Sequence, residues 1–401
     1  HFLHAISTDG GWDEGTGYWG YAMRYFLLYA EARARLLDDR DPLHHRGVDA
    51  TGQFPVYFGP HGHAASFGDA PAAPLYGTMY LLCRHFDRKD LLWWLDRYSL
   101  HRDVGTSGWS AAGLAMLFRP ARPAVAKPPK LQPVKLFEQI GWAAMADAWP
   151  EPSFYVAAKT GDLSANHAQR DMNSIQLMAD HEMLLTDLGS GHYSGEYFSD
   201  RREEFYEVQA RAHNTIVMAE RDHRIDAQGH VVGCKTATDA RYLLCDAGEA
   251  LGEGVRFRRH LVMALGPKSG RGQLLAVLDE LEGAAPETFE LFWHTRGEID
   301  LDEKAATGTI SGRAAAVWFG IRATMPVSVA PGEHNSDRFL CVSGGLMETA
   351  YLLSVFSRQE VAGDLEITPA AGGGLHARIG PLDLHFERDQ GRLTFDRIAR
   401  G

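Results

Sequence analysis

Residues 120–135, PARPAVAKPPKLQPVK, hold five prolines. Each removes a backbone donor and disfavours helical backbone at the residue before it, so this stretch is neither a helix nor a central strand. It separates two patterns. Over 18–37, Trp19, Ala22, Met23, Phe26, Ala30, Ala34 and Leu37 recur at helical spacing, with Arg24, Glu31, Arg35 and Asp38 on the other side. That predicts one long amphipathic helix. Further helical patterns occupy 75–86 (LYGTMYLLCRHF) and 90–99 (DLLWWLDRYS). Beyond Leu136 the chain changes to short runs such as SFYVAAK, NTIVMAE, LLAVLDEL, ETFELFWHT, AAVWFGI and AYLLSVFS, divided by Gly, Asp and Asn. Such runs predict an antiparallel sandwich. The expected organisation is α+β and multidomain: helices over 1–118, a Pro-rich linker over 119–135 and antiparallel β-structure over 136–401.

A chain of 401 residues that is 45% hydrophobic can bury one or two large cores. No run of eighteen apolar residues occurs, which argues against a membrane-spanning helix. The first residue is His1, so no signal peptide can be read and the chain reads as a fragment or processed product. Localisation stays open between the bacterial periplasm, the expected setting, and the cytoplasm. Lys and Arg total 40 against 52 for Asp and Glu, a net charge of −12. A general nucleic-acid binder is thereby disfavoured, and an anionic ligand needs a local basic pocket. Cys83, Cys234, Cys245 and Cys341 form no CxxC pair and stand in apolar or strand-like runs. Buried free thiols are expected rather than a disulfide framework or a cysteine metal site.

Titratable residues cluster in 164–194, SANHAQRDMNSIQLMADHEMLLTDLGSGHYS. Residues 173–179 and 182–187 read as a hairpin turning at Asp180 and His181, with Ile175, Leu177, Met183 and Leu185 supplying apolar surface. A solvated strand face accounts for some of the polar residues. It does not account for His167, Asp171 and Asp187 at the strand ends, where loops carry chemistry. In an extended segment His167, Gln169 and Asp171 share one side, and a carboxylate there can orient the imidazole. In TDGGWDEGTGYWGYAMRYF a Gly-rich loop enters the long helix and puts Glu14, Tyr18, Tyr21 and Arg24 near its start. Dipole complementarity and aromatic packing are the plainer reading of those residues. PHGHAASFGD offers His61, His63 and Asp69 on a loop, RAHNTIVM presents His213 and Asn214 before a strand, and LFWHTRG places Trp293, His294 and Arg296 at a strand end. Core packing is expected for Trp293.

Taken in order, WDEGTGYW, the Pro-rich crossover, IGWAAMADAW, NHAQRDMNSIQL, LLTDLGSGHY and RAHNTIVM resemble the heparinase II/III-like polysaccharide lyases, including oligoalginate lyases, over roughly residues 8–220. The resemblance implies a partial α/α toroid followed by an antiparallel β-sandwich, with the site in the cleft between them. It implies β-elimination at a uronic acid of an acidic polysaccharide or oligosaccharide: the C5 proton is removed, the C4 oxygen leaves, and donors neutralise the neighbouring carboxylate. Tyr18 matches the tyrosine that protonates the leaving oxygen, and in some members also takes the C5 proton. His167 matches the histidine that acts as base or stabiliser. Glu14, Arg24, His61, His63 and Arg170 are the expected substrate contacts, and Arg24 or Arg170 is the expected positive charge that lowers the Tyr18 phenol.

The chemistry needs no cofactor. A structural zinc site is implied at the positions of Gln169, Asp187 and His213, weakened because Gln169 stands where relatives have an imidazole. Asp187 and His213 are expected within hydrogen-bonding reach of each other. The family residue that neutralises the substrate carboxylate lies further upstream than this sequence reaches. No nucleic acid and no membrane span are expected, and a homodimer is one expected assembly. Two rivals accompany the lyase: a glycoside hydrolase on a helical toroid using Glu14 and Asp69, and a non-catalytic protein that binds acidic carbohydrate.

Overall fold

A computed structural model describes residues 2–70, 77–98, 111–120 and 127–400. The beginning of the 75–86 pattern, the last residue of the 90–99 pattern and part of the Pro-rich stretch lie outside them. The long helix runs Gly15–Leu36, and Trp19, Met23, Phe26, Leu27 and Ala30 bury the predicted face. It begins at Gly15 because φ there is +85° and a Cβ would fall 2.6 Å from the Ala70 Cβ, so no other residue fits. Glu31, expected on the polar side, is instead buried beside Arg35, Arg84 and His85. Lys89–Tyr98 and the shorter helices Met79–His85 and Ala111–Phe118 follow. Among the described residues only Gly15–Leu36 exceeds ten residues in this part of the chain.

The strands begin at β1 (Val134–Phe137), followed by β2 (Trp142–Ala146), β3 (Phe154–Lys159), β4 (Ser174–Ala179) and β5 (Glu182–Leu185), which pair in sequence order as one antiparallel sheet. The expected hairpin is β4–β5, turning at Asp180 and His181. Strand side chains alternate between faces, and here both faces are covered. Trp142, Ala144, Ala146, Tyr155 and Ala157 pack with the helices. Ala143, Met145, Phe154, Val156 and Ala158 pack the other way, against an eight-stranded and a four-stranded antiparallel sheet. The eight-stranded sheet repeats the arrangement. On its central strand Gly272–Glu282, Leu275 and Val277 join the first core, whereas Leu274 and Ala276 face the last sheet of four strands, residues 365–400. Double-sided burial is why these strands read as near-continuous apolar runs. The expected sandwich is present as stacked antiparallel sheets, with the helices on the outer face of the first.

One buried ion pair ties the layers together. Arg259, fully buried, donates to both oxygens of Asp279 at 2.7 and 2.9 Å. Its remaining nitrogen donates to the carbonyls of Asn173 and Asn214, and the guanidinium lies 4.8 Å from the Trp293 ring centroid. Trp293 is a core residue, as expected. The eight-stranded sheet thus fixes the backbone just before β4 and just after His213. The cysteines are free, with Cys83 and Cys245 buried and Cys341 half-buried, but Cys234 is exposed. That departs from the expectation of four buried thiols, because its strand His230–Thr236 is the edge of the eight-stranded sheet.

Removing one partner of a buried ion pair strands the other charge, so Asp279→Ala is expected to cost about 3–5 kcal/mol of unfolding free energy. Urea unfolding of the two proteins checks this; a loss near that of an exposed pair would mean that Arg259 finds compensation elsewhere.

Candidate active site

The loop 61–70 runs along β4 and brings the helical side of the chain to the hairpin. His61 Nε2 bonds the Pro152 carbonyl at 2.7 Å and meets His181 Nδ1 at 3.0 Å, at the hairpin turn. Midway, Gln176 donates to the Ser66 carbonyl. At the far end Gly68, with φ +68°, lets the backbone close on residue 167: a Cβ there would fall 2.5 Å from the His167 carbonyl oxygen, to which the Asp69 amide donates at 2.9 Å.

Asp69 is buried completely and gathers donors from four side chains. Tyr197 Oη lies 2.6 Å away, Gln169 Nε2 2.9 Å, Arg202 Nη2 2.9 Å and His167 Nδ1 3.2 Å. Burial by itself would raise this carboxyl; the bonds from His167, Arg202 and Tyr197 outweigh it and hold it below the usual carboxylate range. Residues 164–171 form turns rather than an extended strand, and His167 has φ +59°. The expected shared side of His167, Gln169 and Asp171 is therefore not formed, and the carboxylate that orients the imidazole is Asp69 rather than Asp171. His167 and Gln169 reach one carboxylate, that of Asp69, while Asp171 turns away to the buried Lys159 ammonium.

Tyr18 sits in the first turn of the long helix, half-buried, with its ring stacked on His167 at a centroid distance of 3.8 Å and 15° between planes. Its hydroxyl is 2.5 Å from that of Tyr193. Burial raises the Tyr18 phenol above its ordinary value; the Tyr193 hydrogen bond works against this, and the charges of Asp69 and Glu14 add to it. Tyr193 is raised too, by burial and then by its bond to Tyr18, and Tyr197 is pushed up to about 12, by burial and by its bond to Asp69. At neutral pH Tyr18 therefore carries its proton, and Tyr193 is placed to donate to the oxygen that Tyr18 exposes on releasing it.

Tyr18 and His167, read from sequence as the reacting pair, are thus in contact, with Glu14 at the helix N-cap acting on the phenol by charge. The expected charge partners are not. Arg170 is buried and its charge is paired with Glu203. Arg24 lies over the Tyr21 and Tyr25 rings, 5.5 and 4.8 Å from their centroids, nearly three helical turns along from Glu14. The cation that acts on Tyr18 is Arg202. His61 is at the turn end of the hairpin, so the length of β4 separates it from the His167 end, on the order of 20 Å at the rise of a strand. His63 is half-exposed in the loop between. Tyr193, Tyr197 and Arg202 were not singled out from sequence; the only local hint is the aromatic repeat in GHYSGEYF.

The sequence profile described as "Heparinase II/III-like, C-terminal" matches residues 129–344, more than half of the chain. The chain belongs to the heparinase II/III-like family. Solved structures similar to this heparinase II/III-like chain include one described as heparinase III, with a TM-score of 0.72, 14% identity, and 98% of this chain covering 61% of that one. Another is heparan sulfate lyase HepC from Pedobacter heparinus, with a TM-score of 0.70, 13% identity, and 99% of this chain covering 60% of that one. The chain therefore spans about three fifths of the length of these structures. No curated protein matches it in sequence.

In this heparinase II/III-like chain, Asp187 and His213 are joined as expected: His213 Nδ1 lies 2.8 Å from Asp187 Oδ2, both side chains being buried. The other Asp187 oxygen accepts from the Gly189 amide at 2.9 Å. Gln169 gives its amide nitrogen to Asp69 and the Gly189 carbonyl. The atoms left buried without a hydrogen bond are Gln169 Oε1 and His213 Nε2. One amide oxygen and one imidazole nitrogen fall short of the donor set that zinc takes in structural sites, so no step below runs through a metal. Burial would raise Asp187 and lower His213, but the pairing overrides both, leaving Asp187 lowered and His213 raised.

The pair's stabilisation is fully present between the unfolded values of about 3.9 and 6.5. It fades as pH falls through the depressed Asp187 value or rises through the raised His213 value. Comparing urea unfolding of the wild type with Asp187→Asn from acid to alkaline pH should show the largest difference inside that window; a difference independent of pH counts against the ionised pair. Gln169→His supplies the missing nitrogen, and is expected to raise zinc affinity and the thermal midpoint in zinc together. Calorimetry showing no gain in zinc binding would separate this pair from any metal role.

Proposed function

We propose that this protein is a polysaccharide lyase that cleaves uronate-containing chains by β-elimination. The observation that carries the reading is the Tyr18 phenol stacked on the His167 imidazole, hydrogen-bonded to Tyr193 and backed by the buried Asp69 carboxylate, in a member of this family. Asp69 on Nδ1 sets the tautomer of His167 that leaves Nε2 as the atom able to take or share a proton. In the proposed step the C5 proton passes to His167 Nε2, the C5–H electrons form the C4–C5 double bond, and the C4–O bond breaks. The departing oxygen takes a proton from the Tyr18 hydroxyl, which its raised pKa keeps protonated beforehand. Tyr193 donates to the phenolate left behind, and Arg202 supplies positive charge.

The helices over 1–118 are read as part of an α/α toroid, joined through the Pro-rich stretch to the sandwich, which begins with β1 at Val134 rather than at the expected 136, with the cleft between them holding an acidic polysaccharide. Heparan-type chains and alginate both present the required uronate. A hydrolase built on Glu14 and Asp69 is less well supported, because the Asp69 carboxylate is buried, saturated with donors and held ionised.

Near-ultraviolet absorbance of the unsaturated uronate, followed over a panel of acidic polymers, tests the reading. Tyr18→Phe is expected to lower kcat by ~10²–10⁴-fold with little change in KM, since the ring still stacks and only the proton-transferring hydroxyl is lost. His167→Ala should be similarly damaging and His192→Ala, on an exposed loop, nearly silent. Wild-type rates in Tyr18→Phe would sink the assignment; binding without any unsaturated product in the unmodified protein would favour a carbohydrate-binding role.

A further inference from the structure

The last sheet carries a second cluster of titratable side chains, outside the site described above. His376 on strand Leu375–Ile379 stands directly opposite His385 on strand Leu382–Asp389, and Asp383 is two residues before His385. Alternation puts all three on one face. The other face, with Leu375, Ala377, Leu382 and Leu384, is buried against the eight-stranded sheet, which leaves the cluster on the partly exposed side of a rigid platform.

The three side chains converge and satisfy one another only in part, through the bond of His376 Nδ1 to Asp383 Oδ2. The imidazole centroids are 4.1 Å apart. His376 Nδ1 and His385 Nε2 approach the same oxygen of Asp383, at 3.2 and 3.3 Å. Yet His385 Nε2 and the other oxygen, Asp383 Oδ1, are buried with no hydrogen bond. Buried polar atoms without partners are costly and call for an explanation. One ligand atom from each residue lies within 4.8 Å of the others, so small side-chain rotations bring all three onto one ion at bonds of about 2.0–2.2 Å.

We infer that His376, Asp383 and His385 bind a divalent first-row transition ion of the zinc class. Two imidazole nitrogens and one carboxylate oxygen are the donor set for such ions, whereas calcium and magnesium take oxygen. Three protein ligands on a half-exposed face leave further coordination positions to water or to an anionic group of a bound molecule. Arg397 approaches the remaining His385 nitrogen at 3.4 Å and is itself paired with Asp396. Its positive charge opposes the ion.

Titrating the full chain, stripped of metal, with Co²⁺ and reading the visible ligand-field bands tests the site. A single strongly bound equivalent is expected, lost in His376→Ala and in His385→Ala, while Arg397→Gln tightens binding a few-fold by removing the opposing charge. Circular dichroism confirms that the variants fold. An anomalous difference map of the unmodified protein soaked in Co²⁺ decides independently of any variant. A peak between the two strands is expected; no peak there, or an equivalent that survives in both histidine variants, overturns the site.

Discussion

The carboxylate of Asp69 is the point at which the helical side of the molecule meets the loops that carry the site. It leaves a loop on the helical side and receives Tyr197, Gln169, Arg202 and His167 from the sheet side. A buried carboxylate is tolerable only when donors replace its lost water. Here the donors are the residues that define the site. His167 is oriented by the bond, Tyr18 is stacked on His167, and Tyr197 and Arg202 are held where their dipole and charge act on the phenols. The candidate chemistry therefore rests on a group that also joins helix-side and sheet-side residues, and Gly68 makes the approach sterically possible.

A second buried charge supports the first from behind. Arg259, anchored to Asp279 in the eight-stranded sheet, holds the carbonyls of Asn173 and Asn214. Asn173 leads into β4 and closes the turns that carry His167 and Gln169. Asn214 follows His213, and its side chain clamps the carbonyls of Ile175 and Thr186. The loops that bear the reacting side chains are thereby tied at their ends to a sheet buried on both faces. Such support keeps the Tyr18–His167 stack in register, and hydrogen-bonded second contacts of this kind are what preorganised sites require.

Electrostatics within the site divide the labour among similar groups. Tyr18, Tyr193 and Tyr197 are all raised by burial, yet each faces a different partner. Tyr197 is committed to Asp69 and Tyr193 to the Tyr18 oxygen, and the bond between Tyr18 and Tyr193 works to lower the first and to raise the second. The Asp187–His213 pair is buried and braces the strand that follows.

The sequence by itself determined what depends on local spacing. The long helix, the β4–β5 hairpin and the sheet-rich second half follow from apolar periods of 3.6 and 2, because a buried face repeats with the backbone. Order of motifs was enough to place Tyr18 with His167 and Asp187 with His213. Tertiary structure alone decided which charges complete the site. Asp69 and His167 are 98 residues apart and Asp69 and Arg202 are 133 apart, and no period encodes which loop faces which. Arg170 shows the same point in reverse: adjacent to Gln169 in sequence, it is turned to Glu203 and lost to the site. Gly68 and His167, both at positive φ, set where the loops cross. Such backbone conformations are stabilised by surroundings that only the folded chain supplies.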